Sequence, residues 1–211
     1  MPAPALSDLI APGHTALILQ EVQVGVMGSE SALPQLADAA RASGATDNIA
    51  RLATAARAAS VPVIHCTAET LRGPDGTAFG SNRNARLFAG VRATGAPRSL
   101  SSEPLPEVGP EPGDLVLPRY HGLSPMTGTQ LDAILRNEGI TTVVVVGVSL
   151  NVAIPNLVFD SVNRAYQVVV VRDAVAGVPD TYGPQILENT LALISTLATT
   201  AAVVAAWSPP A

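Results

Sequence analysis

The sequence predicts an α/β protein, a three-layer α/β/α sandwich around a mostly parallel, Rossmann-like sheet. Two observations carry that expectation. Val143-Val144-Val145-Val146 is a β-branched run without alternation, the pattern of a central strand covered on both faces. After Gly147 and the interruption Ser149-Leu150-Asn151, apolar residues recur at Ile154, Leu157, Val158 and Val162, the spacing of one helix face. The second observation is that strand and helix signals alternate through the rest of the 211 residues, 47% of which are apolar. One domain over residues 1–211 is the economical division for this length, with 1–13 as a loose N-terminal arm.

The first strand is expected over 14–20, after the turn pair Pro12-Gly13, and it carries Glu21 to a strand end. Helical patterns follow over 32–42 and 47–59. Thr46 or Asp47 is the expected cap of the second, and Ile49, Leu52, Ala53 and Ala56 share its inner face. Residues 61–65 read as the second strand, closed by His65 and Cys66, with Pro62 at its entrance. The stretch 67–113 is rich in Gly, Pro, Ser, Asn and Arg, with at most a short helix over 82–88. A connection that long inside one domain reads as a lid or a subunit contact.

Residues 114–118 form the expected third strand, and the polar loop 119–129 leads into a helix capped by Thr129, faced by Leu131, Ile134 and Leu135, and stopped at Gly139. The central valine strand is the fourth. A fifth over 167–171 ends at Arg172-Asp173, and a last helix is expected over 184–198. The uncharged stretch 191–207 reads as a packed helix followed by a short strand, because its serines and threonines dilute it below the apolarity of a membrane span.

Charge and composition narrow the partners. A net charge of −5 with a pI near 5.1 argues against nucleic acid, which selects a basic face. All 12 basic residues are arginine, so any mechanism requiring a lysine ammonium is excluded. The N-terminus lacks the basic start and long apolar segment of a secretory leader. One cysteine, Cys66, can form neither an internal disulfide nor a structural zinc site, which suits a reducing compartment, and the expected location is cytoplasmic. His65 and His121 stand apart from any carboxylate pattern, so no metal and no cofactor are called for.

In an open parallel sheet the strand ends converge on one crevice, and N–H groups at a helix start there favour anions. Glu21, Arg119 and the 149–153 turn are therefore the candidates to meet. The plainer readings are a solvated loop carboxylate for Glu21 and, for Arg119, a structural partner to a carboxylate such as Asp114.

The opening Ala16-Leu17-Ile18-Leu19-Gln20-Glu21-Val22-Gln23, the Arg119 loop leading to Gly128-Thr129-Gln130-Leu131, the turn Gly147-Val148-Ser149-Leu150-Asn151-Val152-Ala153, and Gly177 after Arg172-Asp173 together carry a resemblance. The chain resembles the isochorismatase-like, or cysteine hydrolase, superfamily. That resemblance implies a site built from an aspartate after the first strand, a lysine after the third and a nucleophilic cysteine at the helix start. Here Glu21, Arg119 and Ala153 occupy those places. An alanine methyl cannot attack a carbonyl, and an arginine presents a fixed planar fork that does not give up its proton readily.

The isochorismatases of that superfamily work with a small residue in place of the cysteine and protonate a vinyl ether from the first-strand acid. Glu21 as acid and Glu21 as water-activating base are both open on the sequence. Arg119 would hold a substrate carboxylate through bidentate hydrogen bonds. The resemblance further implies a cis Val148–Ser149 peptide that aims the Ser149 and Ala153 N–H groups at a developing oxyanion. Gln23, His65, Tyr120 and His121 are candidate substrate contacts, and Asn151 is a contact or a brace of the turn. Cys66 is either a substitute nucleophile or a buried small hydrophobe.

The expected function is that of a hydrolase without a cysteine nucleophile, acting through Glu21 on a small anionic substrate of enol-ether or amide type. The alternative is a decayed pseudoenzyme serving as a ligand-binding or oligomeric scaffold. A homo-oligomer, dimer or tetramer, is expected, with 67–113 as the natural interface.

Overall fold

In the computed structural model, which describes residues 4–69 and 101–208, six strands pair in the order β3-β2-β1-β4-β5-β6. They are β1 (Thr15–Gln20), β2 (Val63–Ala68), β3 (Leu115–Arg119), β4 (Thr142–Val148), β5 (Gln167–Ala176) and β6 (Thr196–Ala198), and every pairing is parallel. The chain winds outward from β1 to β3 and then returns to lay β4 on the other side of β1. Such a reversal opens a crevice at the carboxyl ends of the two central strands. The register Gln20↔Gly147 and Ala68↔Arg119 brings the ends of β1, β2, β3 and β4 to one edge.

The three layers follow from side-chain alternation. Leu17, Leu19, Val63, Val144, Val146, Val169 and Val171 share one core with residues of α3 (Pro34–Ala42), α4 (Ala45–Ala58) and α8 (Thr200–Trp207). Ala16, Ile18, Ile64, Cys66, Val143, Val145, Val168 and Val170 share the other with α5 (Leu131–Asn137), α6 (Ala153–Asn163) and α7 (Tyr182–Asn189). β4 is buried along its whole length, which is why its sequence shows no period. Two short helices, α1 (Leu6–Leu9) and α2 (Val24–Met27), flank β1.

Several boundaries differ from the sequence expectation, each for a local reason. Ile49, Leu52, Ala53 and Ala56 do line the inner face of α4. The helix nevertheless starts before Thr46 and Asp47, because Gly44, at φ 73, turns the chain directly from α3 into it with no side-chain cap. β2 runs on to Ala68, since β3 supplies a partner for every residue from Ile64 onward, so His65 and Cys66 lie inside the strand rather than at its end. At the C-terminus the order of strand and helix is the reverse of the expected one. Thr196–Ala198 pairs with Val169–Val171, and Thr199 then caps α8 by accepting a hydrogen bond from the Ala202 N–H.

In place of a loose arm, residues 4–13 include α1, with Leu9 and Ile10 buried and the Trp207 indole N–H donating to the Ile10 carbonyl at 2.9 Å. The expected helix over 82–88, and most of the 67–113 connection with the subunit contact assigned to it, lie outside the described residues. Among the described residues no helix is long and apolar enough to cross a membrane.

Candidate active site

The site begins where β1 stops. Glu21 adopts φ 54, a left-handed conformation uncommon for a residue with a side chain, and its N–H donates to the Cys66 carbonyl at 2.9 Å. Residues held in that region cluster where the surrounding structure overrides local preference. Its carboxylate is largely buried and meets Arg119, the last residue of β3. Arg119 Nη2 donates to Glu21 Oε1 at 2.6 Å, and Arg119 Nε donates to the Gly122 carbonyl at 3.0 Å. Two segments separated by 98 positions thus form a buried, charge-assisted pair at the sheet edge.

The pair is not alone. Gln20 Nε2 donates to the same Glu21 Oε1 at 3.1 Å and, at 3.5 Å, to the Leu123 carbonyl. Glu21 Oε1 therefore accepts two hydrogen bonds, while Oε2 accepts none among the described residues. Two buried atoms of the cluster, Arg119 Nη1 and Gln20 Oε1, likewise have no partner among the described residues. The arginine fork expected to embrace a substrate carboxylate is instead directed at Glu21 and Gly122. The remaining nitrogen of the fork, Nη1, is buried.

Beside Glu21, β4 ends in the turn to α6. Gly147 adopts φ 110, and a Cβ there would lie 2.1 Å from the Gln20 carbonyl oxygen, so only glycine lets β4 approach β1 this closely. The Val148–Ser149 peptide is cis. Leu150 N–H donates to the Ala176 carbonyl at 2.8 Å, and Val152 and Ile154 N–H both donate to the Ser149 carbonyl. The N–H groups of Ser149 and Ala153 find no acceptor among the described residues. Ala153 opens α6 and is buried. An 11-residue helix presents its amides there, a setting that favours negative charge.

The other sequence candidates fall into three groups. Asn151 and Gln23 are spent on structure. Asn151 donates through Nδ2 to the Val178 carbonyl and accepts at Oδ1 from the Val178 N–H at 2.9 Å, pinning the turn to the loop after β5. Gln23 accepts from the Ala68 N–H at 2.7 Å and donates to the carbonyls of Ala68 and Ser101, which joins the end of β2 to residue 101. Tyr120 and His121 are exposed on the loop that Arg119 and Gln20 fasten at Gly122 and Leu123.

Cys66 and His65 sit within β2 on opposite faces of the sheet. Cys66 is fully buried in the core with Ile18, Ile64 and Leu131. Burial pushes its thiol up to about 12, with Arg119 pulling the other way. His65 faces α4. Its Nε2 hydrogen-bonds Asp114 Oδ2 at 3.2 Å, and Nδ1 has no partner among the described residues. Burial holds the imidazole below its ordinary value, against the opposing pull of Asp114. Burial alone would raise the Asp114 carboxyl, but hydrogen bonds from Arg57, the Glu111 N–H and His65 outweigh it and hold the group below its usual range. This network, with Arg57 Nη2 2.6 Å from Asp114 Oδ2, ties α4 to the start of β3. Among the described residues no group of three His, Cys, Asp or Glu side chains is placed to hold a metal ion.

Sequence reasoning passed over Gln20. The available signal was an amide side chain closing an apolar strand immediately before the acid.

Comparison with known proteins gives the chain its relatives. The isochorismatase domain family matches residues 15–202. A ureidoacrylate amidohydrolase RutB of Enterobacter sp. (strain 638) is 30% identical over 190 residues, covering 82% of this chain and 80% of that protein. A RutB of Methylorubrum extorquens is 43% identical over 74 residues, a match that spans 33% of this chain and only 29% of that protein's length. Among solved structures, a cysteine hydrolase from Pseudomonas syringae pv. phaseolicola 1448A superposes with a TM-score of 0.77 at 26% identity, covering 98% of both chains.

Proposed function

The chain belongs to the isochorismatase family of hydrolases, and from that premise we propose that it hydrolyses a small anionic substrate with Glu21 as the proton-transfer group and no cysteine nucleophile. The sole cysteine is the core residue Cys66, and the helix start at which the resemblance puts the nucleophile carries Ala153. Covalent thioester chemistry at that position has no attacking atom.

The observation that carries the reading is the division of the Glu21 carboxylate. Arg119 and Gln20 both donate into Oε1, leaving Oε2 to exchange protons. In this reading Glu21 serves as the general base. Oε2 takes a proton from water as the water oxygen bonds to a substrate carbonyl. The charge moves onto the carbonyl oxygen, where the Ser149 and Ala153 N–H groups offer an oxyanion pocket. The proton held on Oε2 then passes to the leaving group as the tetrahedral centre collapses. Arg119, whose Nη1 is buried and without a partner among the described residues, supplies the positive charge that draws an anionic substrate. The amidohydrolase names of the relatives support a carbonyl substrate over an enol ether, and ureidoacrylate is the first compound to assay.

Glu21→Gln keeps the hydrogen-bonding outline of the cluster and removes the base. Turnover of ureidoacrylate should vanish while the circular dichroism spectrum stays unchanged; undiminished turnover rejects the assignment. Ala153 and the closure of Arg119 onto Glu21 also favour a second reading, a pseudoenzyme that binds without reacting. Saturable binding of ureidoacrylate by calorimetry, with no product at long incubation, would select it.

A further inference from the structure

We infer that Gln20 is the positioning residue of the site, fixing one oxygen of Glu21 so that the other is presented to the substrate; the inference rests on the reading of Glu21 as the base.

Gln20 ends a strand whose preceding residues Ala16 to Leu19 are apolar, and it is fully buried. A buried amide is favourable when both its ends are hydrogen-bonded, and here only one is. Nε2 meets Glu21 Oε1 and the Leu123 carbonyl, while Oε1 meets nothing among the described residues. Stability alone would select an apolar side chain at this place, since it leaves no orphaned carbonyl. The amide is oriented by the carboxylate, because the reverse orientation would set its oxygen against the negative charge of Glu21.

What the amide contributes is rotational control. The terminal torsion of a glutamate is broad and close to two-fold, so a carboxylate held by one donor exchanges its oxygens readily. Arg119 approaches Oε1 from β3 and Gln20 from the residue before it on β1, at 2.6 and 3.1 Å. The same two side chains fasten neighbouring carbonyls of the next loop, Gly122 and Leu123, so carboxylate and loop are set by one pair of residues. A base on such a mount keeps Oε2 in a single direction, which is where orientation acts on rate.

The test is Gln20→Met, which preserves length and removes the N–H, with Gln20→Asn as the second variant should the first fail to fold. In the turnover assay above, kcat should fall about tenfold or more while KM stays within about twofold, the loss of one hydrogen bond to a charged group. Independently of substrate, the 13Cδ resonance of Glu21 at pH 7 should move in both variants. Full kcat with an unmoved resonance overturns the role of Gln20, and so does a KM effect alone. Activity surviving in Glu21→Gln instead removes the reading of Glu21, so the two failures are distinguishable.

Discussion

Arg119→Met takes the guanidinium from a carboxylate whose side chain is 11% exposed, and the cation itself is 4% exposed, so neither charge has bulk water to fall back on. The substitution strands Glu21 with only the Gln20 amide, and it deletes the hydrogen bond to Gly122. Removing one partner of a buried pair costs about 3–5 kcal/mol, because the charge left behind is uncompensated. Domains of this size have a total stability of about 5–15 kcal/mol, so the single variant should be visibly destabilised in urea. Glu21→Gln/Arg119→Met leaves no stranded charge and should recover part of the loss, giving a coupling of at least about 1.5 kcal/mol in a double-mutant cycle. The assay is equilibrium urea unfolding followed by circular dichroism, with slopes checked for constancy. A cost below about 1 kcal/mol for Arg119→Met, with additive single and double variants, would mean that the pair is screened by solvent and that the cluster described above does not hold together.

Gly147→Ala should abolish soluble expression or cost more than about 3 kcal/mol, because the new methyl would lie 2.1 Å from the Gln20 carbonyl at a φ of 110; a folded variant with an unchanged urea midpoint refutes the close approach of β4 to β1. His65 predicts acid lability. Burial holds its folded value below 6.5, so below about that pH the unfolded chain binds a proton that the folded chain does not. Stability should therefore fall as pH falls from about 6.5, by at most ~1.4 kcal/mol per unit. Asp114, held below 3.8, keeps its contribution above that value and loses it on further acidification through its folded value. Urea midpoints between pH 7 and 5 should slope less in His65→Asn than in the parent, and equal slopes refute the assignment.

The parts of the fold that were legible are those in which one local pattern has one three-dimensional outcome. The valine run of β4 is apolar without period because both of its faces are covered, and the inner face of α4 repeats at helical spacing because only one is. Glu21 and Arg119 were marked as site candidates because parallel strands deliver their ends to a common edge, and those two residues do meet at 2.6 Å. The rest depended on partners far along the chain. Whether β2 stops at His65 or continues to Ala68 is decided by β3, which pairs with it about 50 positions later, and that extension moves His65 and Cys66 away from the edge. Gln23 and Asn151 have side chains suited to a ligand, yet their hydrogen bonds go to Ala68 and Val178, partners 45 and 27 positions away. The place of the short β6 was not legible because Thr196-Leu197-Ala198 is strand-like only beside Val169 to Val171, so the strand expected after the helix in 191–207 comes before it.

The turn at the start of α6 makes a claim that can be tested without any substrate. If the Ser149 and Ala153 N–H groups and the opening amides of α6 form an anion-favouring pocket, a thiol placed there by Ala153→Cys will ionise far more readily than the native Cys66. Cys66 lies among Ile18, Ile64 and Leu131 and is pushed up to about 12 by burial. One protein then contains both environments, and each serves as the control for the other. Iodoacetamide at pH 7 should leave the parent unlabelled until it is denatured, and should label the variant stoichiometrically at one site in the native state. The rate difference reports thiolate fraction, which separates a helix-start position at the sheet edge from the interior of a strand. A variant that folds normally yet reacts no faster than Cys66 would show that the turn does not stabilise negative charge. The oxyanion role assigned to it would then fail, even with the Glu21–Arg119 pair intact.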